Sequence, residues 1–295
     1  FVRPTSVGQP IYTRKGSKVN SFKPAYIKPK DAVRPVDQIQ RQPGDLFSLN
    51  PRTPAQNFNA ETARIALMHR DYIERSWEYL AAKAVINGEV DVTYEDGETV
   101  TVDFDRDDNL TVLKGSNYWD STYDILGDID TYATAMANAE FGGIPDTMIV
   151  GSSVWAVMRT NTKLKDLMDL NYKRSDVNLA RGMLLPKDRK SRIKYAGEIS
   201  EGIAVWVYDD YYVDGAGAQQ KFLPSNEFVL IDSNFEGVKA FGAILDKKAD
   251  LQPLPIFPKM WDEEDPSASL IMTQSAPLMI PAYPNRSFRG RPLAA

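Results

Sequence analysis

The chain contains no cysteine, and its 295 residues include a single histidine, His69. Without cysteine it forms no disulfide, no thiolate metal site and no cysteine nucleophile, and this composition suits a reducing compartment. No apolar run is long enough to span a membrane, and no leader of the secretory type opens the chain. With 43% apolar and 25% charged residues, the composition predicts a globular protein with a sizeable core.

The sequence carries no enzyme signature, and we predict no catalytic residue, cofactor or metal site. Residues 151–153 resemble the start of a nucleophile elbow, but its second glycine is absent, and the sole candidate base, His69, is predicted on an apolar helix face as a structural residue. Residues 103–109 place oxygen ligands at alternate positions, as a calcium loop does. Asp108 stands where that loop needs glycine and Lys114 where it needs glutamate, which favours a solvated acidic loop.

The longest unbroken helical pattern runs from residue 59 to residue 88, and we call it the spine helix. We predict that Asn59 caps its start and that Gly88 ends it in a left-handed conformation. At about 1.5 Å per residue it is roughly 40 Å long. Its predicted buried face consists of residues three or four apart: Ala66, His69, Ile73, Trp77, Leu80 and Ala84. Its exposed face has two pairs of opposite charges four residues apart: Arg70 with Glu74, and Asp71 with Arg75.

The charges are segregated along the chain, although the net charge is only −5. Residues 1–41 carry nine Lys or Arg against two Asp, a local +7, and residues 89–108 carry nine acids against Arg106, a local −8. If the basic segment is too extended to fold back, the two attract each other between molecules, and such head-to-tail contacts close into rings or shells. Two alternatives remain: both segments are merely solvated, or the basic segment binds nucleic-acid phosphates.

We therefore predict an assembly interface between two named sets of residues. The basic loop comprises Arg14, Lys15, Lys18, Lys23, Lys28 and Lys30. The acidic hairpin comprises Asp91, Glu95, Asp96, Glu98, Asp103 and Asp105.

The order of predicted elements indicates an α+β chain with two domains. Residues 7–36 are expected to project as a proline-rich hairpin, and residues 89–104 to form a second hairpin with one acidic face. Helices are predicted at 123–141, 153–158 and 163–170, and strands at 147–150, 203–208, 228–231 and 238–245. A last strand at 270–280 is predicted to pair with the acidic hairpin.

Five segments of the chain resemble the major capsid proteins of lambda-like tailed bacteriophages. They are KPAYIKPK at 23–30 with VRP at 33–35, DSTYD at 120–124, KFLPSN at 221–226 and, above all, MTQSAPLM at 272–279. The resemblance implies the Hong Kong 97-type phage capsid fold. According to this resemblance, residues 1–42 form an extended loop. Residues 43–118 together with 251–295 form a peripheral domain that contains the spine helix, and residues 119–250 form an axial domain. The N-terminal arm of that family is expected before Phe1, because a translated chain starts with Met.

The same resemblance implies a structural function. Pentamers and hexamers of the chain would build the icosahedral head of the virion, assembled in the host cytoplasm around packaged double-stranded DNA. The implied partners are further copies, with a decoration protein, a scaffold, a protease and a portal, and no membrane. The alternatives from other classes are a two-domain hydrolase-like enzyme, which needs a cleft with a perturbed carboxylate, and a nucleic-acid-binding module that uses the basic hairpin.

Overall fold

The computed structural model describes residues 26–36, 53–93, 99–164, 193–199, 202–214, 217–265 and 267–294, which form a mixed α/β structure. Its helices are α1 (Pro54–Asn87), α2 (Ile125–Asn138) and α3 (Ser152–Thr160). Its strands are β1 (Lys30–Val33), β2 (Glu89–Thr93), β3 (Thr99–Asp103), β4 (Thr111–Leu113), β5 (Thr147–Val150), β6 (Ile193–Ile199), β7 (Ile203–Tyr208), β8 (Tyr211–Val213), β9 (Gln219–Lys221), β10 (Phe228–Ile231), β11 (Gly237–Phe241), β12 (Phe257–Glu263), β13 (Ala268–Gln274), β14 (Pro277–Pro281) and β15 (Ser287–Arg291). Among the described helices, none combines the length and apolar character of a membrane span.

The spine helix α1 is longer than predicted at its start. Asn59 is not its cap, because Thr53 and Gln56 form a reciprocal capping box and Pro54 fits the first helical position. The predicted end is confirmed: Gly88 has φ 75° and donates its N–H to the Ala84 carbonyl.

The buried face of α1 differs from the prediction at its first residue. Ile65 is buried where Ala66 is exposed, and Trp77 is half-buried. Arg70 binds Glu74 as predicted, with Nε–Oε1 at 2.6 Å. Asp71 does not bind Arg75.

Instead, Arg75 binds the buried Asp210 through two bonds, Nη2–Oδ1 at 2.8 Å and Nη1–Oδ2 at 3.0 Å, and it also bonds Glu78. A bidentate bond to a buried carboxylate outweighs an exposed pair on one helix. The Tyr208 hydroxyl donates to Glu78 at 2.7 Å, so this cluster fixes α1 to the end of β7.

A six-stranded sheet forms the largest layer, with strand order β4-β15-β10-β5-β7-β6. Alternation along β10 sends Phe228 and Leu230 to one face, where they pack with α2 and α3. Val229 lies on the opposite face with Ile86, so the end of α1 covers that side. The predicted strands at 147–150, 203–208 and 228–231 are confirmed, whereas the strand predicted at 238–245 is the shorter β11.

The sheet also takes two strands from outside residues 119–250. β15 pairs with β10 antiparallel and with β4 parallel. The predicted domain boundaries after residues 118 and 250 would therefore place strands of one hydrogen-bonded sheet in different domains. The division into two domains stays a prediction. The predicted helices at 123–141 and 153–158 correspond to α2 and α3. The third, at 163–170, and the projecting part of the first hairpin lie largely outside the described residues.

The predicted pairing of the last strand with the acidic hairpin is wrong. The segment breaks near Ser275 into two strands: β13 pairs with β1 and β12, and β14 pairs with β11. Strands β2 and β3 pair with each other, forming a two-stranded sheet. The two valines of β2, Val90 and Val92, pack against Leu80 and against Met279 of β14. The last segment thus contacts the hairpin by side-chain packing, because its backbone groups bond elsewhere.

Replacing Gly88 by Ala tests the end of the spine helix. A Cβ there meets a positive φ and lies 2.8 Å from Arg106 Nε, so we expect the free energy of unfolding of the unassembled subunit to fall by about 1–3 kcal/mol. Urea denaturation measures this loss. Gly115→Ala is the control, because nothing lies within 4 Å of its added Cβ. Equal stability of the two variants contradicts the assignment.

Replacing Asp210 by Asn tests the junction between α1 and β7. The change removes a buried charge that binds Arg75, and we expect a loss of about 1–3 kcal/mol in the same measurement, allowing for the partial exposure of Arg75. Glu74→Gln breaks the exposed pair with Arg70 and serves as control, with an expected loss much smaller than that of Asp210→Asn. A comparable loss in both variants argues against the junction.

Candidate assembly surface

The base of the basic loop, which is residues 26–33, presents two of the loop's six predicted cations to solvent. Lys28 and Lys30 are exposed; Lys28 Nζ lies 4.7 Å from the centre of the Tyr26 ring, and Lys30 Nζ lies 5.5 Å from that of Trp261. Such rings hold the side chains without neutralising them. The other four, Arg14, Lys15, Lys18 and Lys23, lie outside the described residues.

The base is fixed to the spine helix by the single histidine. His69 is fully buried, with Nε2 2.9 Å from Asp31 Oδ2 and Nδ1 3.0 Å from Thr273 Oγ1. Asp31 belongs to β1 and Thr273 to β13, so one side chain joins the helix to two paired strands. The predicted structural role of His69 is confirmed, and both of its ring nitrogens have partners.

The acidic hairpin has carboxylates on its outer face. Asp91, Asp103 and Asp105 are exposed, and Glu95, Asp96 and Glu98 lie outside the described residues. Glu89 and Asp103 face each other directly across β2 and β3. Like charges at opposed positions destabilise a hairpin, so this face is suited to a cationic partner.

The one cation of this segment, Arg106, turns inward, and its charge interacts with Glu89 at the start of β2. Its guanidinium donates to the carbonyls of Val85 at 3.0 Å and Ile86 at 2.9 Å, the last turn of α1, and to Thr111 Oγ1 at 2.8 Å. Burial, with a smaller contribution from nearby Arg289, lowers its pKa to about 10. It remains charged at neutral pH and stabilises the helix end. Sequence reasoning missed this role.

The features considered for catalysis or metal binding have structural partners. Ser152 Oγ accepts a bond from Lys221 Nζ at 3.0 Å. In the acidic loop, Asp103 accepts the N–H of Asp105, and Asp107 accepts that of Asn109, both at 2.9 Å. Buried carboxylates are bound by arginines, as in the pairs Arg75–Asp210, Arg286–Asp232 and Arg289–Glu227. These groups hold the fold together.

Comparisons with known proteins identify the family of the chain. The family model for phage major capsid protein E matches residues 1–291. The chain is 31% identical to the major capsid protein of Escherichia phage lambda and 30% identical to that of Escherichia phage N15, in each case over 97% of this chain and 82% of the relative.

Solved structures give the same result. A prophage capsid protein from Escherichia coli CFT073 superposes with a TM-score of 0.70 at 25% identity, covering 92% of this chain and 77% of that one. A chain of the mature bacteriophage PhiM1 capsid shares the fold, with a TM-score of 0.50 at 11% identity over 97% of this chain and 79% of its own. The predicted resemblance is confirmed, and the hydrolase and nucleic-acid-binding alternatives find no support. The chain belongs to the phage major capsid protein E family.

Proposed function

We propose that copies of this chain assemble, as pentamers and hexamers, into the icosahedral head shell that encloses packaged double-stranded DNA. Its role is structural and not enzymatic. In this proposal the fold is of the Hong Kong 97 type: residues 1–42 form the extended loop, α1 is the spine of the peripheral domain, and the axial domain is built on the six-stranded sheet. We extend that axial domain to include β4 and β15, because both strands belong to its sheet.

The observation that carries the proposal is the presence of two exposed, oppositely charged surfaces on one chain. Lys28 and Lys30 contact aromatic rings, and Asp91 and Asp103 accept bonds from a hydroxyl and a backbone N–H. Within the part of the chain that the structure describes, none of these four contacts is an ion pair. A neighbouring copy supplies the missing partner when the basic loop of one subunit lies over the acidic hairpin of the next.

The energy of each contact is small, but the shell repeats it. An exposed ion pair contributes about 0–1 kcal/mol, and salt screens it over about 10 Å at 0.1 M ionic strength. Every subunit boundary of a closed assembly contains the same contact, so the contributions accumulate. Assembly driven in this way depends on salt, while folding of the subunit does not depend on the contact.

The remaining parts of the proposal follow the lambda-like relatives. A scaffold, a protease and a portal would take part in assembly in the host cytoplasm, and a decoration protein would bind the finished virion. These partners are supported by the family alone.

Reversing the charge of the basic loop tests the proposed function. We expect Lys28→Glu with Lys30→Glu to raise the subunit concentration at half-maximal assembly by about fivefold or more at low salt, and less at high salt, because attraction to the acidic hairpin becomes repulsion. Arg14→Glu, Lys15→Glu and Lys18→Glu together should act in the same direction. Sedimentation velocity measures particles against free subunits, and circular dichroism checks that the subunit stays folded.

The control and the rescue separate this contact from a general effect of charge. Lys194→Glu changes an exposed lysine on another strand and should assemble as the unchanged chain does. Asp91→Lys, on the outer face of the acidic hairpin, should restore part of the loss caused by Lys28→Glu. Unchanged particle yield in the basic-loop variants, at every salt concentration, contradicts the mechanism.

A further inference from the structure

Two large apolar side chains are exposed on backbone that such residues rarely adopt. Phe141 has φ 56° and is 68% exposed, and Leu251 also has φ 56° and is 59% exposed. A positive φ is unfavourable for a large side chain and persists where surrounding structure or function requires it. Neither residue stabilises the subunit by burial. Both positions therefore point to a use outside the single chain.

Phe141 belongs to a surface that we call the aromatic–acidic patch: Phe141, Ile144, Tyr283, Asp107 and Asp108. The rings of Phe141 and Tyr283 lie 6.3 Å apart, Ile144 is 76% exposed, and both aspartates are exposed. The Asn285 side chain joins the aromatic and the acidic parts of the patch. It accepts the N–H of Asp107 at 2.8 Å and donates to the Glu140 carbonyl at 2.9 Å.

The patch is preformed. A Cβ on Gly142 would lie 1.9 Å from the Met136 carbonyl oxygen, and one on Gly143 would lie 2.0 Å from Asp232 Oδ2, so the turn that carries Phe141 is closely packed. Arg286 stacks on Tyr283 and is bound by the same Asp232, which offsets its charge. A rigid surface loses little conformational entropy on binding.

Leu251 belongs to a second surface, the leucine–lysine turn: Leu245, Lys247, Lys248 and Leu251. Leu245 is 71% exposed, and its N–H donates to the hydroxyl of Tyr26, the ring that also carries Lys28. Asp246 caps this turn and is bound by Lys259 at 2.6 Å.

The leucine–lysine turn has a positive balance of charge. The hydrogen bond from Lys259 lowers the pKa of Asp246, so this carboxylate is ionised and compensated within the subunit. Two lysines, Lys247 and Lys248, then stand against one exposed carboxylate, Asp250, a local excess of one positive charge. The turn therefore combines exposed leucines with cations.

We propose that the leucine–lysine turn of one copy binds the aromatic–acidic patch of its neighbour in the shell. The two surfaces match: leucines face aromatic rings, lysines face aspartates, and an apolar centre with a charged rim is the usual anatomy of an interface. Both surfaces are exposed in the single chain, so they do not cover each other within it. Two different surfaces in contact make a head-to-tail interface, which repeats around a ring. This inference rests on the proposed function and adds a second contact to that of the basic loop.

The first experiment separates assembly from stability. Leu251→Asn and Phe141→Asn remove the apolar groups, and Asn tolerates positive φ. We expect the melting temperature of the unassembled subunit to stay within its error, while the subunit concentration at half-maximal assembly rises about fivefold for each variant. Val213→Asn, an exposed apolar residue of neither surface, is the control and should assemble normally.

A second experiment detects the contact directly. Because the chain has no cysteine, Asp108→Cys and Lys248→Cys each introduce a single thiol, and a short bismaleimide links any two of these thiols that lie within its reach. We expect a cross-linked mixed dimer when the two variants co-assemble, and none when they are mixed as free subunits. In a charge swap, Lys248→Glu should weaken assembly and Asp108→Lys should restore it.

The outcomes distinguish this inference from the proposed function. If the unchanged chain forms shells but the Asn variants assemble normally and no mixed dimer forms, the inference is overturned and the proposed function stands. If assembly falls only in step with the melting temperature, the residues serve the fold, and the inference is again overturned. If the full reading frame forms no shells under any condition, both fail together.

Discussion

The spine helix is held in place by contacts along its length, and both charged surfaces are attached to it. Its first turns share a cluster with Val33 and Ile271, its later turns around Leu80 pack against the acidic hairpin, and its last turn covers one face of the six-stranded sheet. Apolar burial supplies most of the stability of such a helix, but it does not fix the position along the axis. Arg75, Arg106 and Arg289 do so, by bonding groups at defined points.

The spine helix also fixes the positions of the two charged surfaces relative to each other. Because His69 fixes the base of the basic loop and Val90 fixes the acidic hairpin to the same helix, the two surfaces keep a constant separation within one subunit. Fixed charges of opposite sign then define a direction for attachment between copies. In our further proposal, the exposed Phe141 and Leu251 orient neighbouring copies in the same way, through apolar contacts.

Sequence periodicity predicted the parts of the fold that depend on local residues. The spine helix, the strands around Val150 and Leu230 and the end at Gly88 follow from spacing and residue type. The pairing of the last segment and the inward turn of Arg106 could not be predicted in this way, because their partners are distant in sequence. Local charge predicted the basic loop and the acidic hairpin. It could not predict that Phe141 is exposed, because one exposed aromatic residue produces no periodic pattern in the sequence.

The most direct test of the account is negative-stain electron microscopy of the full reading frame at low and high salt. We predict uniform shells, rings or tubes at low salt, with fewer of them at high salt. If salt does not change the number of particles, the contact between opposite charges does not drive assembly. A stable monomer under every condition would contradict self-assembly itself.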